Sequence, residues 1–321
     1  MESVFVSSWG KSFRTQHESD LIAENCDHAS VALMFESGGR RQEIVCRFFR
    51  SKRREIEING IPMKKTAELF GRFAVVLFVP SHLEIVRGAP DERRRFLDIA
   101  LCREKPKALS VMNSYKRALE QRNRVLKDMR LFSGLEDVLS VWDSRLAEIG
   151  GALSGMRAEF CKKLSAAAGR IYSELADGEE LFLEFEPGGG LTPEETAQKL
   201  KESLSESLRL GYTTVGAHRD DIKISVGGRD GRRFASQGQQ RSAVIAMKLA
   251  EAQLLAEAVG EPPVLLLDDV LSELDAGRRG FLLGRVSGMQ RIVTACDGSE
   301  FTNCAFYEVS GGSFKRSNLS E

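Results

Sequence analysis

An apolar run that stops on two carboxylates constrains this chain more than any other stretch. Val264 to Leu267, introduced by Pro262 and Pro263, reads as a buried parallel strand, and Asp268 and Asp269 follow at its C-terminal end. In an open α/β sheet that end is where ligands bind. Two adjacent carboxylates there can divide the work of a nucleotide hydrolase. One holds Mg²⁺, directly or through water, and the other orients the attacking water. The same pair would serve equally as a strand ending in a solvated acidic turn.

The stretch just upstream shifts that balance. Ser236-Gln-Gly-Gln-Gln opens an amphipathic helix expected from Gln237 to Ala258, with Val244, Met247, Ala250, Leu254 and Ala258 at helical spacing. Ser236 is a good N-cap, and Gly238 leaves room for a ligand to approach the backbone. Free N–H groups and the helix dipole attract phosphate to such an end. An ordinary capped helix is the alternative. The whole series, running on to Ser272-Glu-Leu-Asp275, is far more specific than any member.

That series resembles the C-terminal half of an ABC-type ATPase head: signature loop, Walker B and D-loop. Within that superfamily, Ser236-Gln-Gly-Gln-Gln-Arg241 followed by Leu265-Leu-Leu-Asp-Asp-Val-Leu-Ser-Glu-Leu-Asp275 is similar to the RecF family of DNA replication and repair proteins. Phe78-Val-Pro-Ser-His-Leu-Glu-Ile-Val-Arg-Gly-Ala-Pro-Asp-Glu-Arg-Arg-Arg-Phe-Leu-Asp98 and Gly216-Ala-His-Arg-Asp-Asp221 fit the same family. The resemblance runs from Ser12-Phe-Arg-Thr15 to the end of the chain, in family order.

The resemblance implies an α/β fold, an ABC-type ATPase head with a mixed sheet and β-meander, plus a helical, short coiled-coil lobe. It divides the chain into 1–100, the N-terminal ATPase lobe; 101–180, the helical arm; and 181–321, the lobe with signature loop, Walker B and D-loop. It also implies two heads sandwiching ATP. Asp268 would hold Mg²⁺ through water and Asp269 would orient the attacking water. Ser236, Gly238 and Gln239 would meet the nucleotide from the partner head, with Ser272 and Asp275 of the D-loop beside them. The dimer would clamp single-strand/double-strand DNA junctions, assist RecA loading with RecO and RecR, and support the SOS response.

One part of the family pattern has no match. Family heads carry a Walker A loop, G-x-x-x-x-G-K-[ST], several tens of residues before the Ser12-Phe-Arg-Thr15 element. Met1 to Trp9 resembles the tail of the helix that follows it. Gly10-Lys11-Ser12 is not that loop: Phe5 stands where the first glycine is required, and no buried strand precedes it. The expectation is an N-terminally incomplete copy, through a misplaced start, a frameshift or a truncation, without tight ATP binding or ATPase activity of its own. A non-catalytic DNA- or protein-binding module is the alternative, as is another SMC-like or transporter-type head. The short arm argues against a long-armed SMC head, and the missing Q-loop and switch histidine argue against a transporter.

Composition sets wider bounds. The chain of 321 residues has 46 Lys+Arg against 46 Asp+Glu, so net charge gives no nucleic-acid signal and any DNA contact must be local. No stretch of about 18 apolar residues and no cleavable signal pattern is present, so a cytoplasmic protein off the membrane is expected. Cys26, Cys46, Cys102, Cys161, Cys296 and Cys304 are scattered, and reduced cysteines are expected rather than zinc or disulfides.

Local patterns fill in the rest. Period-two apolar residues from Ser30 to Ile58, with turns at Gly38-Gly39 and Asn59-Gly60, predict the meander. Arg40, Arg41, Arg47, Arg50, Lys52, Arg53 and Arg54 form a basic cluster there, either a phosphate-backbone contact or a solvated edge that discourages strand pairing. Arg93 to Arg95 would pair with nearby acids or else reach DNA or phosphate. Two stripes predict the helical hairpin: Leu109, Met112, Leu119 and Leu126, then Leu135, Val138, Trp142 and Leu146 onward to Ile171. Gly150-Gly151 would weaken and bend the second helix. Arg117, Arg122, Arg124 and Lys127 read as a solvated face, with DNA contact as the alternative. Thr192-Pro-Glu-Glu195 is a capping box for one helix reaching Leu210. His218, Arg219 and Asp220 form either an ion-pair knot or part of the nucleotide interface. Thr294, Ala295 and Cys296 stand where a switch histidine is expected.

Overall fold

A computed structural model describes residues 1–296, 301 and 304–317. Helix α1 (Glu2–Trp9) ends on Gly10, whose φ of 69° is the left-handed turn that glycine adopts without a Cβ clash. The period-two segment forms an antiparallel meander of β1 (His28–Ser37), β2 (Arg40–Phe49), β3 (Glu55–Ile58) and β4 (Ile61–Pro62), in that spatial order. Its turns have positive φ at both central residues, 57° and 70° at Gly38-Gly39 and 52° and 75° at Asn59-Gly60, which matches the twist of the flanking strands. Ile44, Cys46, Phe48, Ile56 and Ile58 pack on Val6 of α1 and on Leu69.

The central sheet begins with β5 (Val75–Phe78), all four residues buried. The short α2 (Glu84–Arg87) leads to α3 (Pro90–Glu104), which starts with proline and two acids as its pattern predicts. The arm is α4 (Lys107–Asp128) and α5 (Glu136–Leu175), joined by a turn containing Gly134. Two expectations for the arm are corrected. Val138 is exposed, and Leu139 takes the inner position against Val125 and Leu126. Gly150-Gly151 does not interrupt α5, which is helical throughout its 40 residues. These glycines serve close approach instead: a Cβ on Gly151 would lie 2.4 Å from the Thr192 carbonyl carbon, and one on Gly150 would lie 3.0 Å from the Tyr115 ring.

Next come β6 (Leu181–Glu186), α6 (Pro193–Glu202) and α7 (Leu204–Leu210). Thr192 accepts the Glu195 N–H as the cap, but the single helix expected to Leu210 breaks at Ser203, whose hydroxyl turns back to the Leu200 carbonyl. Strands β7 (Asp221–Val226) and β8 (Arg229–Asp230) complete a small antiparallel sheet in the order β6-β7-β8. Helix α8 (Gln237–Val259) precedes β9 (Val264–Asp268), and α9 (Ala276–Arg285) precedes β10 (Arg291–Thr294). The central sheet is parallel, in the order β10-β9-β5, with Thr294 beside Asp268 and Phe78 beside Leu267. Strands β11 (Phe306–Ser310) and β12 (Ser313–Ser317) pair as a separate hairpin.

Helix α8 is not amphipathic. It is buried almost without break from Ser242 to Ala252, because β5, α3 and α5 all pack against it. Lys248 and Glu251 are buried with it. Glu251 is bonded both to Lys248 and, at 2.6 Å, to Arg103, so one buried carboxylate serves two cations. The main core joins Val76 and Phe78 of β5, Phe160 to Tyr172 of α5, Ala243 to Leu255 of α8 and Leu265 and Leu267 of β9. The start of α8 and the C-terminal end of β9 are thereby fixed to one rigid block.

Candidate nucleotide site and basic surface

Asp268 closes β9, and both its oxygens are engaged. Oδ2 accepts from the Arg14 guanidinium at 2.9 Å, and Oδ1 accepts from the Thr294 hydroxyl at 2.8 Å. Burial pushes this carboxyl up, but the Arg14 guanidinium and the Thr294 hydroxyl together outweigh it and hold Asp268 below the ordinary carboxylate range. The next residue turns sharply: Asp269 has a φ of 54°, a conformation that costs a non-glycine residue about 1 kcal/mol or more. Its neighbours hold it there. The Asp269 N–H donates to Thr294 Oγ1 at 3.0 Å, while the Ser272 hydroxyl lies 2.8 Å from the Asp269 carbonyl oxygen and 3.1 Å from its Oδ1. The turn leaves the Asp269 carboxylate exposed beside the largely buried Asp268.

Arg14 reaches this point through a built loop. The Ser12 hydroxyl donates to the Glu2 carboxylate and accepts N–H bonds from Arg14 at 2.9 Å and Thr15 at 3.1 Å. Neither Arg14 nor Thr294 received a role from the sequence. Arg14 lay in the quoted Ser12-Phe-Arg-Thr15 element without a partner to point to. Thr294 was noted only as not being histidine, although a strand parallel to β9 would bring it level with Asp268. Asp297, farther along, lies outside the described residues.

The second group of expected residues assembles around the start of α8. Ser236 and Gln239 form a reciprocal capping box, with Ser236 Oγ accepting the Gln239 N–H at 3.2 Å and Gln239 Oε1 accepting the Ser236 N–H at 2.8 Å. Gln239 also donates to Glu179 at 2.6 Å. Asp275 caps α9 by accepting the Arg278 N–H at 3.0 Å, and this bond together with the Arg278 guanidinium lowers its carboxyl from the ordinary range. Arg278 then reaches Ser242 at 2.7 Å, and its guanidinium fills the space beside Gly238 that a Cβ would take, 2.8 Å away. Arg241 pairs with Glu273 at 2.7 Å. The structure therefore links Asp268, Asp269 and Ser272 at one point and Ser236, Gly238, Gln239 and Asp275 at another.

Hard oxygen donors at the end of β9 suit a divalent cation. Among the described residues no three His, Cys, Asp or Glu side chains gather as a cage. A Mg²⁺ ion needs only one or two carboxylates when substrate phosphates complete its shell. The Arg14 guanidinium already sets one positive charge against Asp268. Asp268 would hold the metal, which when bound would neutralise charge on a transferring phosphoryl group.

Of the Gly216-Ala-His-Arg-Asp-Asp221 element, Asp220 and Asp221 enter ion pairs with arginines from elsewhere, while Arg219, expected in the same knot, is exposed. Asp220 is fully buried and accepts from Arg157 at 2.9 Å, Ser154 at 2.8 Å and the Gly188 N–H at 2.9 Å. Arg157 also bonds Asp98 at 2.8 and 2.9 Å, and Arg93 bonds Asp221 at 2.6 and 2.9 Å. His218 lies 2.8 Å from the Tyr115 hydroxyl and 3.0 Å from the Thr213 carbonyl oxygen. Burial lowers its pKa to about 4, so it is neutral at pH 7. Arg122 corrects the expectation of a solvated face: it is fully buried and held by Asp143 at 2.5 Å and Thr213 at 2.9 Å.

On the meander the basic residues divide. Arg50 is spent on the carbonyl oxygens of Ile22, Ala23 and Cys26, Arg47 on Glu57, Lys52 on Glu55 and the Phe49 ring, and Arg54 on Glu18, Thr66 and Gly10. Arg40, Arg41 and Arg53 make no such side-chain bond among the described residues and are exposed.

No family model matches the chain. It is 36% identical over 315 residues to the DNA replication and repair protein RecF of Acetivibrio thermocellus, covering 95% of this chain and 85% of that protein. It is 40% identical over 310 residues to RecF of Symbiobacterium thermophilum, covering 92% and 81%. The chain belongs to the RecF family of DNA replication and repair proteins. A solved RecF, described as a recombination mediator protein in its ATPγS-type complex in the RecFOR pathway, superposes with a TM-score of 0.93 at 30% identity, over 99% of this chain and 88% of that one. The Smc head of Pyrococcus furiosus superposes with a TM-score of 0.51 at 16% identity, which shows a shared head fold. The ABC/SMC-type α/β head expected for a RecF chain is thus the fold observed. None of its described helices is long and apolar enough to cross a membrane.

Proposed function

We propose that this RecF-family chain supplies the carboxylate and signature parts of an ATP-dependent DNA clamp. The observation that carries the reading is the end of β9, where Asp268 is braced by Thr294 and charge-paired with Arg14, and Asp269 is held in a strained turn beside it. Asp268 binds Mg²⁺ and Asp269 orients the attacking water. Ser236, Gly238 and Gln239, with Ser272 and Asp275, meet the nucleotide across a dimer interface. The solved relative in an ATP-type complex supports nucleotide use.

The clamp acts in the cytoplasm on single-strand/double-strand junctions with RecO and RecR, and through them on RecA and the SOS response. Arg40, Arg41 and Arg53 are the DNA-facing cations of the meander, and Arg50, Lys52 and Arg54 hold that surface in shape. No G-x-x-x-x-G-K-[ST] occurs in the 321 residues, so they provide no phosphate cradle of that type. For that reason the residues described bind DNA and partners without hydrolysing ATP by themselves.

Fluorescence anisotropy on gapped and blunt duplexes tests the DNA reading. Gapped DNA is expected to bind more tightly, with affinity falling steeply as salt rises. Replacing Arg40, Arg41 and Arg53 together by alanine should flatten the log–log salt slope by about 2–3. Equal affinity for both duplexes would remove the junction claim, and an unchanged slope would remove the assignment of these arginines.

A further inference from the structure

We propose that Arg14 and a divalent cation are alternative occupants of Asp268, so that Arg14 neutralises the carboxylate in the nucleotide-free chain and leaves it when metal arrives. The inference rests on reading Asp268 as the metal ligand. Three observations and one electrostatic argument carry it. Arg14 donates to Oδ2 at 2.9 Å while Thr294 holds Oδ1, so each oxygen already has a donor. Two cations cannot share one carboxylate oxygen at contact distance without strong repulsion in a partly buried site. The loop that aims Arg14 is ordered by the Ser12 hydroxyl, which bonds the N–H groups of Arg14 and Thr15 and the Glu2 carboxylate, so the placement belongs to the backbone. The Arg14 side chain is nevertheless 59% exposed against 13% for Asp268, so the guanidinium can move into solvent while the carboxylate stays.

The exchange has a chemical logic. Without a cation, Asp268 and Asp269 would be neighbouring carboxylates on a tight turn, one of them mostly buried. The guanidinium offsets that charge and keeps the strained turn intact. A metal carrying phosphates replaces it and offers the freed guanidinium new acceptor oxygens, which it binds well.

Binding of Mn²⁺ alone, followed by loss of the free-ion EPR signal at fixed ionic strength, tests this on the full chain without nucleotide. Arg14→Ala is expected to bind Mn²⁺ at least fivefold more tightly than the unmodified chain. Adding Asp268→Asn to it should abolish the gain. Arg14 is largely exposed, and matching thermal melts would show that the variant is folded. If Arg14→Ala binds no tighter, while Asp268→Asn alone weakens binding, the competition is overturned and the metal reading stands. If Asp268→Asn binds Mn²⁺ as well as the unmodified chain, the metal reading of Asp268 fails and this inference fails with it.

Discussion

The Thr294 hydroxyl is shared by both aspartates: it donates to Asp268 and accepts the Asp269 N–H. Thr294→Val keeps the shape and removes both bonds. It should destabilise the chain by roughly 1–3 kcal/mol in urea unfolding, because a carboxylate and an N–H lose their partner. His218 carries a pH signature. Its folded-state pKa of about 4 lies below the ordinary histidine value, so the unfolded chain binds the extra proton first. The stabilisation is whole above about pH 6.5 and declines as pH falls towards 4, with a slope of up to about 1.4 kcal/mol per pH unit. Stability measured across that window should lose this slope in His218→Gln; an unchanged slope would assign the effect to other groups. Asp268, lowered, loses its contribution only at more acid pH. At this scale the sequence was legible where a residue acts through its own type and neighbours: the Ser236 N-cap and the position of the two aspartates at the end of β9. It was silent on Arg14 and Thr294, whose roles arise from contacts 254 and 26 residues away.

Elements were legible where a periodic pattern and a turn signal agreed. The meander followed from alternation plus two turns needing positive φ, and the Pro90 and Thr192 helix starts followed from capping chemistry. They were misread where tertiary contact overrode local preference. Helix α8 was expected to have a polar face, but its middle is packed on all sides, and its buried Glu251 pairs with both Lys248 and Arg103. Gly150-Gly151 was expected to weaken α5, yet the missing side chains let Tyr115 and the Thr192–Pro193 backbone close in. Gly151→Ala separates the two arguments by sign. Helix propensity alone predicts a gain of about 1 kcal/mol, whereas the 2.4 Å clash predicts a loss of roughly 1–3 kcal/mol or more, and the structure favours the loss. A higher denaturation midpoint for Gly151→Ala would contradict this packing.

Across the whole molecule, the buried knot ties the arm to the head. Arg157 of α5 reaches Asp98 of α3 and Asp220 before β7, and Arg122 of α4 reaches Asp143 of α5 and Thr213. Asp220→Asn removes the charge partner of a buried guanidinium and should cost about 3–5 kcal/mol, less whatever Asp98 retains. The central claim is a division of labour: these 321 residues carry the carboxylates and signature helix of an ATP sandwich but no glycine-rich phosphate cradle. Calorimetric titration of ATP with Mg²⁺ into the chain tests it most directly. The account predicts no saturable binding tighter than about 1 mM, since one or two carboxylates and a helix end do not hold a triphosphate without that cradle. Saturable binding in the micromolar range would contradict it and would require another set of residues in this chain to hold the phosphates.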